Sequence, residues 1–97
     1  MFACLSAEVK AHAALRMYER GISRAEVEFV LQHGRVIIEY LTDQPLPSFL
    51  LLAFPNGRPI HLLVGHDAET HHCALITVYE PDPTVWSADF TVKLPRT

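Results

Sequence analysis

Ninety-seven residues, with eight Lys and Arg against eleven Asp and Glu and a formal net charge of −3, suffice for one hydrophobic core and not for two. A composition 49% hydrophobic and 20% charged excludes a disordered chain, and the acidic balance excludes a protein coated all round in positive charge for nucleic acid. No apolar run approaches the roughly 18 residues of a membrane span, the opening MFACLSAEVK lacks a basic-then-apolar leader, and Cys4 and Cys73 lack CxxC spacing. These features predict a single cytoplasmic domain over 1–97, with no membrane association, reduced thiols and no cofactor.

In chain order, Ala7, Ala11, Ala14, Leu15 and Tyr18 recur at three- and four-residue spacing and predict a helix over 6–20, closed by Gly21. Ser23-Arg24-Ala25-Glu26 is a capping box that opens a second helix. It runs to about His33, buries Val27, Val30 and Leu31, and is expected to end on a left-handed Gly34. The period then changes to two. Strands are predicted over 35–41, 49–54, 60–66 and 72–79, with turns at Thr42-Asp43-Gln44-Pro45 and Pro55-Asn56-Gly57-Arg58. An Asn56-Gly57 hairpin sets Ala53 opposite Ile60, Leu51 opposite Leu62 and Leu52 opposite His61.

The second face of that hairpin carries Leu50, Leu52, Phe54 and Leu63 around His61, too apolar for bare solvent, so helix cover or a homodimer contact is expected. Glu80-Pro81-Asp82-Pro83 breaks the last strand, after which Val85, Trp86 and Phe90 are expected to fold over a core edge as a short helical turn. The predicted class is α+β: an N-terminal helical hairpin packed on an antiparallel sheet of about four strands.

Three groups of residues carry candidate chemistry. His12, Arg16 and Arg20 are spaced by four, about 6 Å of rise per step, and so form a cation-only line on one helix face, with Arg24 adding a further basic group. They lie in the one stretch with a positive balance, +2 from Lys10 to Arg35 against −5 elsewhere. Arg binds phosphate through paired hydrogen bonds and stabilises developing charge, and His titrates near neutrality, which are the groups that metal-free RNA phosphodiester cleavage needs. The competing reading is the solvated face of an amphipathic helix.

His61 and Tyr79 form the second group, as proton donors or phosphate contacts on neighbouring strands, against the alternative of a buried structural histidine. The third, Gly65-His66-Asp67-Ala68-Glu69-Thr70-His71-His72-Cys73, is rich in ligand types but lacks the spacing of a known metal site, so an exposed loop and no metal are expected. GxSxG, P-loop and dinucleotide glycine motifs are absent.

Several segments together resemble the bacterial and archaeal proteins of the domain of unknown function 4258 family. They are His12-Ala13, Arg16-Met17, Arg20-Gly21-Ile22-Ser23, Gly34, Asp43, Pro47-Ser48, Gly57-Arg58-Pro59-Ile60-His61, the run Thr77-Val78-Tyr79-Glu80-Pro81-Asp82-Pro83, and Trp86. That family is similar to BrnT-like and RelE-like toxins, small ribonucleases with helices before an antiparallel sheet. The resemblance implies an mRNA-cleaving toxin whose partners are RNA and an antitoxin protein, although toxins of that broad class tend to be strongly basic. On this reading Arg16, Arg20 and Arg24 hold RNA phosphate, and His12, His61 and Tyr79 move protons. The alternative of a different class is a non-catalytic interaction module, as a homodimer, docking an acidic partner through the arginine line.

Overall fold

A computed structural model describes residues 2–95. It contains β1 (Ser6–Val9), α1 (Ala11–Glu19), α2 (Arg24–His33), β2 (Arg35–Tyr40), β3 (Ser48–Ala53), β4 (Ile60–His66) and β5 (His72–Tyr79). The strands form one mixed sheet of order β1-β5-β4-β3-β2. Both helices pack on one of its faces, and no helix among the described residues is long and apolar enough to cross a membrane.

The fifth strand is the main correction to the expected sheet. Ser6–Val9 is not the first turn of a helix but a strand, parallel to β5 with Ala7 opposite Cys73 and Val9 opposite Leu75. Hydrogen bonding to a sheet edge overrides the helix preference of Ala7 and Glu8, since propensity is a weak prior where tertiary partners exist. The shortened α1 also turns a different face inward: Ala13 and Met17 meet the core, while Leu15 and Tyr18 are 50% and 86% exposed. Small Ala13 lets the helix backbone approach β5 closely.

A second departure ties down the same strand. Cys4 and Cys73 are not free thiols but a disulfide, with Cα atoms 5.5 Å apart across a sequence separation of 69. The parallel pairing of β1 with β5 brings the two together, a contact with no local spacing signature.

The capping box forms as expected, with the Glu26 amide donating to Ser23 Oγ at 3.1 Å and the Ser23 amide to Glu26 Oε1 at 2.9 Å. Gly21 is left-handed at φ 61, but Gly34 is extended at φ −65, ψ 143, because the chain runs straight from α2 into β2. Space selects glycine there: a Cβ would run into the Val30 carbonyl oxygen and come within 3.1 Å of Leu51 Cβ. The expected β3–β4 register holds at all three pairs, yet the connection is longer than a two-residue turn. The ladder stops at Ala53 and Ile60, and between them Pro55–Gly57 makes a 3-10 turn with Asn56 at φ 53 and Gly57 at φ 81.

On the helix side, Leu51, Leu62, Val64, Leu75 and Val78 bury against Ala13, Val27 and Val30. On the opposite side, Leu50, Leu52 and His61 are also buried, and the segment 81–95 crosses this face at His61, whose ring meets Trp86 and the Phe90 carbonyl. That segment is not the expected helical turn at a core edge but a chain of tight turns over this second face, with one bridge between Trp86 and Lys93. Pro81 and Pro83 remove amide donors, and Asp82 accepts from the Thr84 amide at 2.8 Å while Asp89 accepts from Ser87 Oγ and Thr91 Oγ1, both at 2.7 Å. Such local side-chain bonds compete with a helix. The Thr91 and Ser87 hydroxyls pull the Asp89 carboxyl down to about 2.

Candidate acid-base site on the second face of the sheet

Alternation along β4 sends Leu62 to the helix side and His61 to the other, and the β4–β5 register sets His61 directly opposite Tyr79. The His61 ring is fully buried, stacked edge-on against Trp86 with centroids 4.4 Å apart. Its two nitrogens have distinct partners: Nε2 lies 2.8 Å from the Phe90 carbonyl oxygen and Nδ1 lies 3.3 Å from the Tyr79 hydroxyl. A carbonyl only accepts, so Nε2 carries the proton, and in the neutral ring Nδ1 accepts from the Tyr79 phenol. Burial pushes the His61 pKa down, partly opposed by the Phe90 carbonyl, which keeps the ring neutral and the Nδ1 lone pair free for that phenol. Tyr79 is half-buried, and its pKa is raised by burial and by the neighbouring Tyr40 phenol, while the Arg20 guanidinium acts the other way.

Arg20 arrives at this place for a structural reason. Strand β1 ends at Val9, opposite Leu75, so the rest of the β5 edge has no strand partner. Arg20, just beyond α1, fills the gap by donating from one terminal nitrogen to the Val78 carbonyl at 2.8 Å and to Thr77 Oγ1 at 3.4 Å. Arg58, two residues before β4, locks the same corner. It donates to the carbonyls of Gly21 (3.0 Å) and Arg20 (3.2 Å), which end α1, to Glu80 (2.7 Å), which follows β5, and to Glu26 (3.3 Å) of the capping box. The bond to Glu80 raises the Arg58 pKa most, with Glu26 adding to it, while the Ser23 amide and hydroxyl and the Arg58 charge hold Glu26 below its usual value.

The other residues expected from the sequence lie apart from this corner. Arg16 pairs with Glu19 at 2.6 Å, so the α1 line has an acid beside it rather than cations alone, and Arg24, on α2, pairs separately with Glu28 at 3.4 Å. His12 is exposed and lines a hollow of about 500 Å³ with Lys10, Glu8 and His72, which none of Arg16, Arg20, His61 or Tyr79 lines. Among the described residues no group of three or more His, Cys, Asp or Glu is placed to hold a metal ion.

Sequence reasoning paired His61 with Tyr79 but missed three contributors. The Phe90 carbonyl sets the tautomer, Trp86 walls the ring, and Arg58 fixes the corner. The signal for the last was present, since Arg58 and Glu80 both stand in the quoted motif segments although 22 residues apart. The geometry supplies a phenol oriented by a buried imidazole beside a guanidinium, a set able to exchange a proton next to a bound anion. A family model, described as Domain of unknown function (DUF4258), matches residues 9–80. That span takes in α1 to β5 with Arg20, Arg58, His61 and Tyr79. No curated protein and no solved structure matches the chain.

Proposed function

Given that the chain belongs to the Domain of unknown function (DUF4258) family, we propose that it is a toxin-like protein that binds single-stranded RNA at the Arg20–Tyr79 corner and cleaves it there. The observation that carries this reading is the Tyr79 phenol donating to buried His61 Nδ1 beside the Arg20 guanidinium. Arg20 uses one terminal nitrogen on β5, which leaves its remaining N–H groups for a phosphate. Tyr79, the outermost member of the pair, is the group that reaches substrate and exchanges a proton with a phosphodiester oxygen. His61 acts through it, as a positioning residue. Arg16 and Arg24, held by their glutamates, make secondary contacts along the RNA backbone, and His12 contacts it separately.

Incubating the purified chain with single-stranded RNA tests this directly. Cleavage is expected to fall about a hundredfold in Tyr79→Phe, the usual scale of a proton-transfer contribution, with unchanged circular dichroism. RNA affinity should weaken with rising salt and weaken further in Arg20→Lys. Cleavage equal to the wild type in both variants would discard the site.

The second reading, a non-catalytic interaction module, draws on the exposed outer face of α1, where Leu15 and Tyr18 stand in solvent. A chain without RNA affinity that sediments as a dimer, and as a monomer after Leu15→Glu, would favour it.

A further inference from the structure

The end of the sheet farthest from Tyr79 gathers four side chains that the reading above does not use. His66 closes β4 and stands directly opposite Cys73 of β5, both buried on the helix side. Cys4 is bonded to Cys73, and the His71 ring lies 5.5 Å from the His66 ring, centroid to centroid. Two sulfurs and two imidazoles therefore share one cluster. In the oxidised chain the sulfurs are joined to each other, and no metal-binding group is present among the described residues.

The imidazoles are prepared for more than packing. His66 Nε2 lies 3.0 Å from the Ala3 carbonyl and must donate to it, which leaves Nδ1 as the lone pair. A ring N–H given to a backbone carbonyl is how metal-bound histidines are usually held. His71 Nδ1 is buried with no hydrogen-bond partner, alone in this among the side-chain nitrogens and oxygens of the described residues. A buried polar atom left without a partner is costly and calls for an explanation. His71 also sits at φ 57, in the left-handed region that a non-glycine residue rarely occupies, and such outliers gather at functional sites.

We propose that reduction of the Cys4–Cys73 disulfide turns this cluster into a two-cysteine, two-histidine site for a borderline-soft divalent cation of the zinc type. The donors would be Cys4, Cys73, His66 and His71. In the first step a dithiol reductant supplies two electrons and two protons. The S–S bond breaks, each sulfur becomes a thiol, and the reductant closes its own disulfide. In the second, the cation displaces one proton from each thiol and takes the two thiolates and two neutral imidazoles as a tetrahedral set. The metal then replaces the disulfide as the tie between the segment before β1 and strand β5.

Zinc and cobalt binding to the oxidised and the reduced chain test the proposal. One zinc per reduced chain is expected and none per oxidised chain, with cobalt giving thiolate charge-transfer absorption in the reduced form alone. His66→Ala and His71→Ala, whose folding is checked with the disulfide intact, should each weaken zinc binding by about tenfold or more. The proposal is overturned if the reduced chain binds no zinc or stays unfolded with it. It is equally overturned if the oxidised chain binds zinc as well, or if both histidine variants match the wild type.

Discussion

On the helix side of the sheet, the side chains packed against the two helices are apolar, from Leu51 and Leu62 to Val30 and Ala13, and the one buried histidine of that side, His66, lies at the far end of β4 against Phe2 and the Ala3 carbonyl. On the other side, Leu50 and Leu52 are equally buried, but they share the interior with His61, the Phe90 carbonyl and the half-buried Tyr79 hydroxyl. The covers differ in kind. A helix satisfies its own backbone, and so it can only present side chains to a sheet. The turns of 81–95 leave carbonyls unspent, and one of these sets the tautomer of a buried histidine. Chemistry collects beneath the irregular cover because irregular backbone supplies polar partners there.

The sharpest way to test this contrast is to cut the same side chain on each face. Leu62→Ala, fully buried on the helix side, should cost about 3 kcal/mol in urea unfolding, since lost transfer energy adds to a cavity that two packed layers cannot close. Leu63→Ala, its partly exposed neighbour on the second face, should cost about 1 kcal/mol. Equal losses would show that the turns pack as firmly as the helices.

Arg58→Ala removes the side chain that joins the α1 and α2 termini to the end of β5, and it should destabilise by roughly 2 kcal/mol. Because Arg58 is partly exposed, solvent offsets some of its charge. A change within error would demote it to a surface ion pair.

The smallest expected effect is in pH. His61 has its pKa lowered by burial, so between its ordinary value, near 6.5, and the lower folded value the unfolded chain binds a proton that the folded chain does not. Stability is therefore fully present above about pH 6.5 and falls as the pH drops below it, by at most about 1.4 kcal/mol per pH unit. His61→Gln should remove this part of the slope from the urea midpoint measured across pH 5 to 7. An unchanged slope would mean that the second face lets water reach the ring.

Much of this architecture is legible in local pattern. The capping box, the change of period after Gly34 and the β3–β4 register each depend on residues a few positions apart, where hydrogen-bond geometry is set by the chain itself. His61 and Tyr79 were also identifiable as a pair from alternation. The segment 6–9 was not, because its alanine and glutamate favour a helix until an open strand edge is offered. Nor was the inward face of α1, since Ala11, Ala14, Leu15 and Tyr18 form as convincing a stripe as Ala13 and Met17.

The amino-acid sequence by itself determined the two helices, four of the five strands, the hairpin pairing and the residue types of the candidate site. Caps, periods and turns act over a few residues and are written locally. Only the tertiary structure decided that β1 joins the sheet, that Cys4 meets Cys73, that Arg20 serves an unpaired strand edge, and that a carbonyl from the C-terminal turns fixes the His61 tautomer. Each of these contacts spans 29 residues or more and depends on which edge or face the intervening chain has left open.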